Sequence, residues 1–526
     1  MALHRILCDL KGRIDGLGRW AARGLAFGLG FLAAFSMPPL YQIYVLIPAL
    51  GGLLWLLVEA TSKWRAFVLG WWFGAGFFSA GLYWVSFALL VDAAKFAWLI
   101  PVATLGFAFG FGLYVAFTGF LVRALPGNNL LAKALTLASV WTFFEWVRGW
   151  LFTGFPWNPL GTAWAFSDNL MQSASIFGVF GLSLLAALVA VLPATLVKLN
   201  RLSLGLNLGV IVLLAISWGW GGARLSQASG ETVPGVRLRL VQPNIAQSEK
   251  WDPALRERHM MDQLLLSTRP AKNNGVKPTH IIWAETAAPF FIARHQQWLN
   301  FVGSMVPKNG LIILGAPHVV GQKLPGSNLQ VTNSLLAINH QGHVTAQYDK
   351  FHLVPFGEYM PLKDWLPLDR ITQGAGSFLA GAGPTTLMLK GLPPVSPLIC
   401  YEVIFPAQVT DHQGKAEWLL NLTNDAWYGK TAGPYQHFVN TQFRAVEQGV
   451  PVVRVAGTGM SGIIDPFGRV VRKLKLGEKN FIDGNLPVPV KNKTVFSRSG
   501  NKLVLFLTMV LAFFAFGLSF WDKKRA

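Results

Sequence analysis

The chain has 526 residues, of which 52% are hydrophobic and 13% charged, with a net charge of +20 and a mean hydropathy of +0.41. Soluble domains carry about 25% charged residues, so this balance excludes an ordinary globular protein. Two cysteines, Cys8 and Cys400, exclude a disulfide scaffold or a cysteine-rich zinc site. Much of the positive charge sits between and beside apolar runs, where membrane topology accounts for it better than nucleic-acid binding does.

A membrane-spanning helix needs roughly 20 apolar residues. Eight such segments are predicted in chain order: 20–36, 39–58, 66–91, 96–122, 130–147, 169–197, 203–222 and 502–521. In the first, Gly28 and Gly30 suit close helix packing. The opening MALHRILCDLKGR is basic but lacks a small-residue cleavage site, so it is not read as a removable signal. If the N-terminus is cytoplasmic, the short inner loops and tails hold 14 Lys and Arg, and the opposite loops hold only Lys95 and Arg148. The positive-inside rule then places both termini in the cytoplasm and residues 224–500 outside. Trp146, Trp150, Trp157 and Trp164 fit an interfacial aromatic belt, and Glu145 and Arg148 are spaced to pair. The few acids near spans, Glu59 and Asp92, lie at span ends, which disfavours a transport path.

Residues 224–500 alternate β-rich and helical runs. Strands are predicted at 236–244, 280–285, 310–317, 332–339, 396–402, 418–425 and 451–459. Helices are predicted at 251–270, capped by Asp252 and Pro253, and at 435–449. That alternation implies an α/β domain. Three domains result: 1–223 with seven spans, 224–500 extracytoplasmic, and 501–526 with the last span and a basic tail.

Three polar residues end or interrupt apolar strands: Glu285 in IIWAET, Lys350 in QYDKFHLVPFGEY and Cys400 in LICYE. A thiol attacks carbonyls as thiolate, so it needs a nearby base or cation. Glutamate can take the thiol proton, and a lysine ammonium can stabilise an oxyanion beside backbone N–H groups. Taken singly, each has an ordinary reading: a packed core thiol, a solvated loop acid, and a surface ion pair with Asp349. Spacing alone does not overturn these. No G-x-S-x-G elbow, H-E-x-x-H or phosphate loop is present, and the ten histidines show no metal-ligand spacing.

The ordered blocks LVQPNIAQSEKWDP, IIWAET, YDKFHLVPFGEYMP, ICYEVIFP, LLNLTNDAWYG and RAVEQGVPVVRVAGTGMSGIIDPFG resemble the nitrilase superfamily. With eight flanking spans, the chain resembles the bacterial apolipoprotein N-acyltransferases over essentially its whole length. The resemblance implies a polytopic helical membrane bundle plus an αββα sandwich. It implies Glu285 as general base, Lys350 as its cationic partner and Cys400 as nucleophile. It further implies Glu358 as support for the lysine, Tyr401 and Glu402 as the pair following the nucleophile, and Trp251 as a substrate-binding residue. Ala284 and Gly457 depart from the family, which often has proline or serine before the glutamate and a polar residue at the second position. No metal or cofactor is implied. The implied partners are a phospholipid acyl donor, typically phosphatidylethanolamine, a diacylated apolipoprotein acceptor and the lipid bilayer of the bacterial inner membrane. Residues 360–383, with Trp365, Leu366, Leu368 and Phe378, are expected to form a membrane-dipping lid. A membrane-bound amidase with water as acceptor shares the first half of this chemistry, and a non-catalytic scaffold or transporter is the third alternative.

Overall fold

A computed structural model describes residues 2–271, 275–321, 329–360 and 378–525. The chain divides into two compact units. One comprises Met1–Phe87, Lys95–Ala228 and Thr494–Ala526, and the other Ala88–Ala94 and Ser229–Lys493.

The first unit is helical. In chain order its helices are α1 (Ala2–Asp15), α2 (Arg19–Ala33), α3 (Leu46–Val58), α4 (Lys63–Gly81), α5 (Ala93–Phe96, at the junction of the two units), α6 (Ile100–Ala124), α7 (Leu130–Arg148), α8 (Asp168–Met171), α9 (Ala174–Val191) and α10 (Arg201–Leu225). Two C-terminal helices close the unit, numbered α15 (Val495–Ser499) and α16 (Lys502–Arg525) in chain order. Among the described residues, five helical segments are long and apolar enough to cross a membrane: Ala93–Ala124, Leu130–Arg148, Ala174–Val197, Arg201–Leu225 and Lys502–Asp522. A sixth span is possible if α4 and the following Tyr83–Leu90, bent by 50°, act together.

The first two predicted spans differ from expectation. The 20–36 segment is a 15-residue helix extended by a short 3-10 turn, and 39–58 is reduced to Ile43–Val58. Pro38 and Pro39 lie between them, and proline can neither donate to a helix nor leave its predecessor helical. Close packing also divides the two glycines. A Cβ on Gly30 would strike the Phe73 carbonyl of α4, while Gly28 faces open space. The aromatic belt is corrected too: Trp157 and Trp164 are buried in the bundle, with Trp157 stacked on Phe155 and Trp164 donating to the Leu182 carbonyl. Glu145 accepts from Trp141 Nε1 and the Leu160 N–H, and Arg148 donates to the Phe155 and Trp157 carbonyls. Both therefore serve a segment that folds back into the protein, where desolvated groups need such partners.

The second unit holds two sheets. The first, in spatial order, is β11 (Asn480–Pro487), β1 (Thr232–Gln242), β2 (His280–Trp283), β3 (Ile312–Val319), β4 (Val331–Ile338) and β5 (Val344–Asp349). The second is β10 (Val470–Lys473), β9 (Gly462–Ile464), β8 (Val452–Ala456), β7 (Trp418–Thr423) and β6 (Val395–Ile399). β1, β2 and β3 run parallel, as do β6, β7 and β8. Strand residues alternate between faces, and the burial follows that period. Leu238, Leu240, Ile282, Ile313 and Leu335 form one core with Ile399, Leu420, Leu422, Val453 and Val455 of the other sheet. The opposite face of the first sheet, with Ile281, Trp283, Ile312 and Leu314, packs on α12 (Arg256–Thr268) and α13 (Gln296–Ser304) through Met260, Leu264, Leu299 and Val302. Helix α14 (Ala432–Gln448) lies against the second sheet, completing the αββα layering expected of the domain. A one-turn helix, α11 (Gln247–Lys250), follows β1. Strands β5, β9, β10 and β11 and helix α13 were not anticipated. Three of the four strands are short or substantially exposed, so their apolar signal is weak.

Candidate active site

Glu285 stands two residues beyond β2, Lys350 directly after β5, and Cys400 directly after β6. Each is at a carboxyl end, where α/β sheets release the chain into turns. The turns are sharp: Cys400 has φ of +51° and Thr286, next to Glu285, has φ of +45°. Side-chain-bearing residues seldom adopt that region, and it occurs where structure over-determines function. Glu285 comes this close to β3 because residue 315 is glycine. A Cβ there would lie 2.5 Å from the Thr286 nitrogen and 2.6 Å from the Glu285 Cα.

The three carbonyl-chemistry candidates converge. Lys350 Nζ lies 2.8 Å from Glu358 Oε2 and 3.7 Å from Glu285 Oε1. Asn333 of β4 ties the acids together, donating to Glu285 Oε1 at 2.8 Å and to Glu358 Oε1 at 2.9 Å. The Val354 N–H donates to Glu358 Oε2 at 2.8 Å. Burial opposes the charge of Lys350, which is 1% exposed. Glu358, Glu285 and Cys400 outweigh it and hold the ammonium above its ordinary value. A surface pair with Asp349 is thus ruled out; that acid instead accepts from Thr332, Ser334 and Gln347.

Cys400 is a free thiol, 5% exposed. Burial first, then the Glu285 carboxylate, push it up to about 12, while Lys350 and a hydrogen bond with Thr423 pull it down. The resting group is therefore a protonated thiol in the field of Glu285 and the Lys350 ammonium.

The remaining predicted residues divide. Glu402 is fully buried and accepts four bonds: from Tyr348 Oη (2.9 Å), Phe351 N (2.7 Å), His352 N (3.2 Å) and Ile399 N (2.6 Å). It braces the chain leaving Lys350 against the strand leading to Cys400. Burial pushes its carboxyl up to about 7, against its backbone donors and Lys350. Tyr401 packs edge-on to His352 and Phe405, at ring distances of 5.4 and 5.0 Å. Trp251 is half-buried, and no ring contact or hydrogen bond of its side chain ties it to the cluster among the described residues. Of the expected lid, 360–383, residues 361–377 lie outside the described residues; beyond them the Phe378 N–H donates to the Glu358 carbonyl at 3.0 Å.

Several supporting residues were missed. His437 of α14 and Asn421 of β7 both donate to the Cys400 carbonyl, at 3.1 and 3.3 Å. Behind them Asp425 binds Arg454 at 2.8 Å and meets His437 Nδ1 at 2.9 Å, and Arg454 reaches Asn421 Oδ1 at 2.5 Å. Burial opposes ionisation of Asp425, but Arg454 and His437 hold it down at about 2. Burial, then Arg454, lower the proton affinity of His437, while Asp425 and the Cys400 carbonyl raise it. The available signal was a polar residue inside an apolar strand, Asn421 in LLNLT and Arg454 in VVRVA.

Two family models match the chain: the apolipoprotein N-acyltransferase N-terminal domain over residues 29–192, and carbon-nitrogen hydrolase over residues 237–490. The apolipoprotein N-acyltransferase of Rhodopseudomonas palustris is 38% identical over 499 residues, covering 91% of this chain and 92% of that protein. The chain belongs to the apolipoprotein N-acyltransferase family. The family's enzyme from Brucella melitensis is likewise 38% identical, over 92% of this chain and 93% of its own, and that of Rickettsia typhi 35%, over 92% and 94%. An amidase from a Nesterenkonia species aligns with 49% of this chain and 94% of its own at 20% identity and a TM-score of 0.34. Apolipoprotein N-acyltransferase relatives match both the helical and the hydrolase-like regions, which favours acyl transfer over the hydrolytic alternative.

Proposed function

We propose that this membrane protein moves an acyl chain from a phospholipid, typically phosphatidylethanolamine, to the α-amine of the S-diacylglyceryl cysteine of an apolipoprotein, through a thioester on Cys400. The observation that carries the reading is the buried Lys350 ammonium shared by Glu285 and Glu358, in the electrostatic field of a thiol on a strained turn.

The chemistry runs in two halves. As Cys400 Sγ bonds to the ester carbonyl carbon, Glu285 takes the thiol proton. Lys350 stabilises the oxyanion. Collapse breaks the ester C–O bond, and the proton on Glu285 passes to the departing lysophospholipid oxygen. The acceptor amine then attacks the thioester, forming the C–N bond and breaking the C–S bond. Its proton returns through Glu285 to the thiolate. Glu358 and Asn333 hold Lys350 and Glu285 in register, and Glu402 fixes the two strand ends relative to each other. Trp251 is assigned to substrate binding by the family likeness. The Lys and Arg distribution supports an inner-membrane protein with residues 224–500 periplasmic and both termini cytoplasmic.

The test is to incubate purified full-length protein with phospholipid and a diacylated lipopeptide. N-acylation of the lipopeptide is expected, lost in Cys400→Ala and blocked by a thiol alkylator. Release of free fatty acid alone would favour an amidase-like hydrolase, and undiminished transfer by Cys400→Ala would sink the thioester.

A further inference from the structure

Beside Glu285 lies a second lysine that the triad leaves out. Lys250 ends α11, in the block QSEKWDP, and is 7% exposed. Its Nζ donates to the main-chain carbonyl of Glu285 at 3.0 Å. Among the described residues it enters no ion pair. A buried ammonium without a carboxylate is costly, so its retention calls for a physical cause.

Charge counting supplies one. Glu285 and Glu358 share the single ammonium of Lys350, which sits closer to Glu358. With those three groups alone the site carries one net negative charge, and passing the thiol proton to Glu285 keeps that charge while moving it onto sulfur or the oxyanion. A protonated Lys250 brings the resting site to zero. We propose that Lys250 is a positioning residue of the acyl-transfer site: it holds the Glu285 turn by its carbonyl and supplies the uncommitted positive charge that negative charge at Cys400 requires. The proposal rests on the reading of Glu285 and Cys400 given above.

Two observations support it. Burial pulls Lys250 down to about 8, and the charges of Glu285 and Cys400 pull it back up, so lysine and thiol are electrostatically coupled. Such coupling is reciprocal: what a thiolate does for the ammonium, the ammonium does for the thiolate. Second, Lys250 borders a cavity of about 20 Å³, room for a water molecule. His259 and Gln263 also line it, and His259 Nδ1 and Gln263 Oε1 have no protein partner. Ala284 and Gly457, the two positions that depart from the family, border the same space and are small enough to leave it open. A water there can accept one of the remaining Lys250 hydrogens and help keep the charge solvated. The ionisable groups facing Lys250 are Glu285 from β2, Cys400 from β6 and, across the cavity, His259 from α12, whose burial lowers its proton affinity.

The experiment uses full-length protein in detergent on a Cys8→Ser background, leaving Cys400 as the sole thiol. Alkylation of Cys400 by iodoacetamide is measured against pH, with lipopeptide acylation alongside. Lys250→Met is expected to slow alkylation about tenfold at neutral pH and to converge on the wild type as pH rises past about 8, where the wild-type lysine also loses its charge, and Lys250→Arg to restore the neutral rate. An unchanged rate at neutral pH overturns the proposal. So does an equal loss at every pH, which would mean a purely structural prop. If the Met variant does not fold, the Arg variant decides. Arginine stays charged where lysine loses its proton, so its alkylation above pH 8 must exceed that of the wild type, and coincident curves overturn the proposal. Cys400→Ala is run in parallel: residual transfer there refutes the thioester itself, independently of Lys250.

Discussion

Replacing Glu285 with glutamine separates two effects that usually travel together. In the folded protein the Glu285 carboxylate is, after burial, the largest influence raising Cys400 to about 12. At pH 7 a thiol at that value is ionised in roughly one molecule in 10⁵, and forming the thiolate beforehand costs about 7 kcal/mol. A base that removes the proton during attack avoids that cost and contributes about 10²- to 10⁴-fold in rate. Glu285→Gln removes the negative charge while keeping the amide oxygen that Asn333 can still reach. The thiol should therefore become easier to ionise, yet acyl transfer should fall by about 10²- to 10⁴-fold. Thiolate absorbance near 240 nm on the Cys8→Ser background reads the first quantity, and burst formation of the acyl-enzyme by mass spectrometry reads the second. If the thiol midpoint falls and acylation rises with it, Glu285 is merely a neighbouring charge and the assignment of the base is wrong.

Gly315→Ala should push the Thr286 and Glu285 backbone away from β3, an overpacking cost of about 1–3 kcal/mol. Acyl transfer should drop at least about tenfold while Cys400 remains open to alkylation; wild-type transfer would show that the Glu285 turn tolerates displacement. Asp425, held at about 2 against an ordinary 3.8, stabilises the fold above pH 3.8, and that contribution is lost as pH falls through 2. It amounts to roughly 2 kcal/mol, so Asp425→Asn should flatten the acid limb of thermal stability read by near-ultraviolet circular dichroism. An unchanged limb would refute this. An alkaline phosphatase fused after Arg224 should be active only outside the cytoplasm; an inactive fusion of normal abundance would reverse the topology.

The strands that bear Glu285 and Cys400 were legible because apolar β-rich runs ending in a single polar residue leave few other assignments. Residues 280–285 and 396–402 came out as β2 and β6 with their turns. The long spans were equally legible, since twenty apolar residues must find lipid or a large core. The short N-terminal helices were not, because a hydropathy run does not reveal where Pro38 and Pro39 break it. Nor did aromatic content tell Trp157, enclosed in the bundle, from Trp150, which is exposed.

What the sequence determined by itself was the chemistry available and the family: one thiol in a β-rich domain, a glutamate and a lysine at strand ends, and apolar lengths that require a membrane. What only the tertiary structure decided was the electrical environment of those groups. That Lys350 serves two acids, that Lys250 brings a charge with no acid of its own, and that Asp425, His437 and Arg454 lie beneath the Cys400 turn depend on contacts between residues far apart in the chain. Side-chain type and spacing carry no record of distance or burial, and in a low-dielectric interior those two quantities set the proton affinities on which the reaction depends.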